Sequence, residues 1–208
     1  MIDRVFVISL LFCSLLSAQT LELRIGSDPA FREGERQVIE TEMGEEISVS
    51  IWADLAAVRA SGISFFLALP TGFFAVAEER PFVQGALFAG AIEFANEVMP
   101  QHEAIGVSTD IELLPYAAVV GPGNKRGREG RGQVARLLLR PRRSGRARIA
   151  FAHSPIYQGK LVVDDGVGER FFYAMEGLDI EVRDHRSDKA AADDGGSWAA
   201  LKRRVLAP

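Results

Sequence analysis

Residues 47–69, ISVSIWADLAAVRASGISFFLAL, decide the fold. The first part alternates between apolar and polar positions, which is typical of a strand with one buried side and one solvent-facing side. Residues 54–61 interrupt the alternation and indicate about one turn of helix. From Gly62 to Leu69 the chain is apolar on both faces. This second part therefore predicts a central strand, or a strand whose outer face contacts something else.

The same period-two pattern recurs along the rest of the chain. Alternation begins at Leu21 and returns in the segments around 147–151 and 178–182. Clusters of Pro, Gly and Asp separate the apolar segments at short intervals. Many short strands with such breakers favour an all-β sandwich or barrel over an alternating βαβ fold.

The N-terminus predicts an export signal over residues 1–18. Arg4 precedes an apolar run from Val5 to Leu16, and small residues stand before Gln19. That order is typical of a secretory signal peptide, and the run is too short to span a bilayer. Cys13, the single cysteine, would leave with this leader, so we expect a mature domain without disulfides or thiolate metal sites.

Basic residues are concentrated in one part of a chain whose net charge is −4. Ten of the 24 Lys and Arg residues lie within 125–148. Such a block can bind a polyanion, but here it alternates with apolar residues, which favours a solvated strand face and its turn. The segment 121–132 predicts a long loop, and long loops in compact domains are often functional. Its cations are candidate binding residues: Arg126, Arg128 and Arg131.

The C-terminal region, 184–208, predicts a flexible linker and a possible short amphipathic helix. Residues 183–196 are small and polar, as in linkers. Ser197 could cap a helix that carries Trp198, Leu201 and Val205 on one face. The predicted domain organisation is therefore a signal peptide at 1–18, a β domain at 21–183 and a tail at 184–208.

Motifs for catalysis are not found in the sequence. The three His residues lack metal-ligand spacing, no GxSxG elbow is present, and adjacent acid pairs on a strand point to opposite faces. We therefore predict that the protein is not an enzyme and needs no cofactor. Calcium stays possible, because loop carboxylates alone can bind it; the candidates are Asp28, Asp164 and Asp165.

Several segments together resemble the cohesin family. They are residues 45–53 (EEISVSIWA), 62–69 (GISFFLAL), 73–76 (FFAV), 85–98 (GALFAGAIEFANEV), 130–139 (GRGQVARLLL) and 144–149 (SGRARI). The likeness spans roughly 21–183. It implies a jelly-roll β-sandwich of about nine strands, followed by the short C-terminal tail.

The resemblance also implies non-catalytic binding. Family members bind a dockerin helix pair on one sheet face, and related modules bind polysaccharide through planar aromatic side chains. We expect an exported binding or scaffolding module that recognises another protein through one sheet face. The alternative is a carbohydrate-binding module that assists extracellular polysaccharide processing. Further candidate binding residues are Trp52, Phe66, Asn96 and Tyr116.

The expected partner is another exported protein, dockerin-like or an envelope component, or a polysaccharide. We expect no nucleic acid partner and no membrane span. The expected location is secreted, periplasmic or at the cell surface.

Overall fold

The computed structural model describes residues 18–25, 37–121, 127–163 and 168–184. These residues form fourteen strands and one short 3-10 helix at Ala86–Phe88. The strands are β1 Thr20–Ile25, β2 Gln37–Thr41, β3 Ile47–Asp54, β4 Ala60–Pro70, β5 Phe74–Val76, β6 Phe82–Gln84, β7 Ile92–Asn96, β8 Ile111–Val119, β9 Arg131–Pro141, β10 Gly145–Phe151, β11 Lys160–Val163, β12 Glu169–Phe171, β13 Ala174–Glu176 and β14 Leu178–Asp184.

The strands form two sheets, which confirms the predicted all-β sandwich. Sheet 1 has the order β13-β1-β3-β9-β5, and β6 also pairs with β9. Sheet 2 has the order β12-β11-β4-β10-β14-β2, with β8 beside β4 and β7 beside β8. The sequence predicted about nine strands; of the fourteen, nine have five or more residues and five have three or four.

Two predicted segments lie outside the described residues: the export signal up to residue 17, and the tail after Asp184. The described part of the chain contains no helix long and apolar enough to cross a membrane. Residues 55–59 form a turn where the sequence indicated a helical turn. The Asp54 carboxylate accepts a hydrogen bond from the Ala56 amide (2.8 Å), which is a local side-chain contact that competes with helix.

The core lies between the two sheets and has an aromatic centre. Phe65 of β4 is fully buried and stacks on Tyr116 of β8, with ring centroids 5.2 Å apart. Phe82 and Phe151 meet the Phe65 ring edge-on, with ring centroids 5.8 and 5.7 Å apart. This geometry is one that aromatic rings favour in cores, and it joins strands of both sheets.

Gly85, just after β6, is required by a close backbone approach to β9. A Cβ atom at this position would stand 2.4 Å from the Gln133 carbonyl oxygen, and a rigid backbone cannot withdraw as a flexible side chain can. We expect Gly85→Ala to lower the free energy of unfolding by about 2 kcal/mol or more. Urea denaturation measures this loss.

The matched control for that substitution is Gly72→Ala, because a Cβ there meets nothing nearer than an Arg143 side-chain atom at 3.9 Å. We expect its unfolding free energy to stay within about 0.5 kcal/mol of the wild type. Equal losses in both variants would contradict the close approach at Gly85.

Candidate functional site

The outer face of sheet 2 carries the candidate site. In β4, Ile63, Phe65, Leu67 and Leu69 point into the core. Because side chains alternate along a strand, the residues between them, which include Ser64 and Phe66, point outward. Both sides of this strand are apolar in sequence, and the structure places one of them at the surface.

Strand register brings small residues together in the middle of this face. Ser64 pairs with Ala117 of β8, and Ala117 pairs with Ala95 of β7. On the other side Ser64 pairs with Lys160 of β11, which pairs with Phe171 of β12. A row of five residues thus crosses five strands, with a low floor at Ser64, Ala117 and Ala95.

Larger apolar side chains border this floor on both sides. On one side, Val119 and Val162 close over Gly62, where an added Cβ would meet their methyl groups at 3.1 and 3.3 Å. On the other side stand Phe66 and its partner Pro115. We call the floor and these two borders the trough.

A cavity of about 340 Å³ lies within the trough, and Ile156 and Phe171 also line it. Three large apolar residues at the margins of the trough are exposed to solvent: Ile92, which pairs with Val119, by 52%, Ile156 by 59% and Phe171 by 55%. The one ion pair here joins Lys160 Nζ to Glu169 Oε1 at 2.7 Å, so the described part of the trough carries little net charge. Clustered exposed apolar side chains of this kind mark interaction surfaces.

The adjoining part of the same face is covered by the protein itself. Ala104, Leu113 and Tyr157 form a second small core there. Tyr157 lies against Phe66, with ring centroids 5.1 Å apart, and its hydroxyl reaches the Glu103 carbonyl at 3.5 Å. The loops that contain residues 104 and 157 therefore limit the open face to the trough.

The trough contains Phe66, one of the seven residues singled out from the sequence. Tyr116 lies instead in the core, where it is 1% exposed. Burial, and then the charge of Glu93, raises the pKa of its hydroxyl far above the usual value. The hydroxyl lies beside the side chains of Glu93 and Gln84.

Asn96 links the two sheets rather than facing the trough. Its Oδ1 accepts a hydrogen bond from the Phe82 amide (2.9 Å), and its Nδ2 donates to the Phe82 carbonyl (2.7 Å). Nδ2 also donates to Glu93 Oε2 at 3.1 Å. The side chain is buried. Its two hydrogen bonds to the Phe82 backbone join β7 of sheet 2 to β6 of sheet 1.

We expect Asn96→Ala to destabilise the fold by about 1–3 kcal/mol, because it leaves a buried amide and a buried carbonyl of Phe82 unpaired. The free energy of unfolding in urea is the measurement. Glu97→Ala is the control, because the side chain next to Asn96 in the chain is exposed, and we expect it to leave the unfolding free energy within about 0.5 kcal/mol of the wild type. An alanine variant as stable as the wild type would contradict the linking role.

Aromatic side chains that could stack on sugars are scattered. Trp52 is half-buried on the outer face of sheet 1, where the Arg24 guanidinium lies 5.0 Å from its ring centre. Tyr157 is buried in the second small core, whereas Tyr173 is 82% exposed. The described residues therefore present no strip of Trp and Tyr rings on one face.

The basic candidates also lie away from the trough. Arg128 Nη2 donates to the Ala89 carbonyl at 2.8 Å, and Arg131, at the start of β9, forms an ion pair with Glu22. Arg126 lies outside the described residues, as do the calcium candidates Asp28, Asp164 and Asp165. Within the described ranges, no group of three or more His, Cys, Asp or Glu residues is arranged to hold a metal ion.

Sequence comparison identifies no relatives: no family model matches the chain, and no curated protein matches it. Solved structures are similar in fold. A type II cohesin domain from the cellulosome of Acetivibrio cellulolyticus matches with a TM-score of 0.54 and 12% identity, over 78% of this chain and 95% of its own.

Two further cohesins show the same likeness. A type I cohesin from Clostridium thermocellum, solved in complex with a dockerin, gives a TM-score of 0.51 at 14% identity, over 79% of this chain and 99% of its own. A non-cellulosomal cohesin from the archaeon Archaeoglobus fulgidus gives 0.50 at 12% identity, over 84% and 98%. The chain therefore has a cohesin-like fold, as the sequence resemblance predicted.

Proposed function

We propose that the chain is an exported, non-catalytic module that binds another protein through the trough. The observation that carries this proposal is the cluster of exposed apolar side chains around a floor of small residues on the outer face of sheet 2. Ile92, Ile156 and Phe171 gain nothing from exposure to water in the isolated domain, and a protein partner would bury them.

The dimensions of the trough suit a helix of the partner. Its two borders are four residues apart along β4, at Gly62 and Phe66, which corresponds to about 13 Å. An α-helix with its side chains is about 10–12 Å wide. Five strands span about 19 Å, the length of about thirteen helical residues. A helix lying across the strands would thus place its apolar side against the small floor.

The fold likeness supports the same kind of partner. The cohesin of Clostridium thermocellum was solved with a dockerin bound, as was a cohesin of Acetivibrio cellulolyticus. The scattered aromatic side chains favour a protein partner over a polysaccharide, because sugar platforms need planar rings on one surface. Export, to the periplasm, the cell surface or the medium, is proposed from the predicted leader.

Site-specific cross-linking tests the proposal directly. In a Cys13→Ser background, Ser64→Cys and Ala57→Cys each carry one thiol for a photo-reactive label, one on the trough floor and one on a distant exposed turn. We expect a discrete exported protein to be cross-linked at Ser64 and not at Ala57. The proposal is wrong if both positions yield the same products, or if position 64 yields none.

A further inference from the structure

The floor of the trough has the spacing of side chains on an α-helix that lies across the strands. Ala95, Ala117 and Ser64 lie on three adjacent strands, about 4.8 Å from one to the next. On one side of a helix, residues i+3 and i+7 lie about 4.5 and 10.5 Å from residue i along the axis. Three large apolar side chains at these positions would each meet one small floor residue.

The chain's own C-terminal tail carries this spacing. Trp198, Leu201 and Val205 stand at i, i+3 and i+7 of the helix predicted from the sequence, which lies outside the described residues. The eleven residues from Trp198 to Pro208 would form a helix of about 17 Å, close to the width of five strands. An isolated helix of this length is marginal in water, so it needs a surface to pack against.

Charge also favours contact between the tail and the sandwich. The segment 197–208 has cations at 202–204 and no acidic residue, whereas the whole chain has a net charge of −4. Exposed carboxylates stand at both ends of the trough, at Glu97 just after β7 and at Glu169 in β12. Opposite charges of this kind favour encounter, most strongly at low salt.

Strand register places the start of the tail far from the trough of the same copy. β10 pairs with both β14 and β4, and this register sets Leu178 level with Leu69. Asp184 lies six residues beyond Leu178, and Ser64 lies five residues before Leu69, so the two are about 36 Å apart along the strands. The two strand spacings between β14 and β4 increase the distance to about 37 Å.

The linker between the sandwich and the predicted helix is too short to span this distance easily. Residues 185–196 are twelve residues, which reach about 40 Å when fully extended and about 19 Å on average when flexible. Binding to the trough of the same copy would therefore need an almost fully extended linker, at a cost in conformational entropy. The trough of a second copy imposes no such extension.

We infer that the trough of one copy takes the tail helix of a second copy. Trp198, Leu201 and Val205 would pack over the three floor positions, and two-fold symmetry would let both copies exchange tails. The inference rests on the proposed function, because it uses the same surface, and it adds a form of regulation. A partner protein must displace the tail before it can bind.

Sedimentation velocity tests the inference on the chain from Gln19 to Pro208, which contains both sheets and the tail. We expect the wild type to form dimers at about 100 µM. Ala117→Arg, which fills the floor, should weaken dimerisation at least about tenfold. The combined tail variant Trp198→Ser, Leu201→Ser, Val205→Ser should do the same, because it removes the apolar side of the helix.

The matched control places three serines on the opposite side of the predicted helix and keeps the charge of the tail. It combines Ala199→Ser, Ala200→Ser and Ala207→Ser. We expect its dimer dissociation constant to stay within about twofold of the wild type. An equal loss in the control and in the tail variant would overturn the inference, because the apolar side would then have no special part in the contact.

Mixing the two damaged chains tests whether the contact joins different copies. Ala117→Arg keeps an intact tail and the tail variant keeps an intact trough, so the mixture should associate more tightly than either variant alone. A mixture no tighter than its components would overturn the inference, and so would a wild type that stays monomeric at about 100 µM. Either result would leave the proposed function standing, because capture of a partner at position 64 tests that function separately.

Discussion

Replacing Ala117 by arginine is expected to weaken binding of the trough's partner at least about a hundredfold. Ala117 is central in the floor, between Ser64 and Ala95. An arginine side chain there would fill the space that the partner needs and would bring an unpaired charge into the interface. Titration calorimetry with the protein captured by cross-linking at position 64 is the measurement.

Ala57→Arg is the control for this substitution, since Ala57 is exposed in the turn between β3 and β4. We expect its affinity for the partner to equal that of the wild type. We expect the thermal unfolding midpoint of both variants to stay within about 2 °C of the wild-type value, because both substituted residues lie on the surface of the domain. Undiminished affinity in Ala117→Arg would place the partner elsewhere.

Two adjacent phenylalanines are expected to respond very differently to truncation. Phe65 is fully buried among Phe82, Tyr116 and Phe151, so Phe65→Ala should cost about 3–5 kcal/mol of unfolding free energy. That is a large fraction of the total for a domain, about 5–15 kcal/mol. Urea denaturation measures the loss.

Phe66→Ala is the natural comparison. Phe66 is half-buried on the opposite face and packs on Tyr157, so we expect a smaller loss of about 1–2 kcal/mol. We expect this variant, and not a conservative Phe65→Leu variant, to lose affinity for the partner. Similar destabilisation by the two alanine substitutions would show that the face assignment of β4 is wrong.

The sequence was sufficient to predict the fold class. A strand with one solvent-facing side, such as β3, can be recognised in the sequence because apolar residues at every second position lie on one face of a strand. Breakers at short intervals then limit the strands to lengths that suit a sandwich. The resemblance of individual segments pointed to the cohesin-like arrangement, which the structural similarity bears out.

The sequence could not predict which residues form the candidate site. The sequence offers Trp52 and Tyr116 as aromatic candidates, but Trp52 is half-buried on sheet 1. Because β8 is apolar on both faces in sequence, the pattern does not show that Tyr116 lies on its inner face. Asn96 was also singled out, and it binds the backbone of Phe82. The small floor residues Ser64, Ala95 and Ala117 carry no signal, because a serine or alanine within a strand is unremarkable.

What the sequence by itself determined is therefore local: where strands run, where they end, and that the chain forms an all-β sandwich. The tertiary structure decided which side of β4 is core, how β7 and β8 align with it, and hence where the trough lies. The reason is physical. Period-two patterning is a property of neighbouring residues, whereas the register between distant strands is set by packing and backbone hydrogen bonds across the sheet.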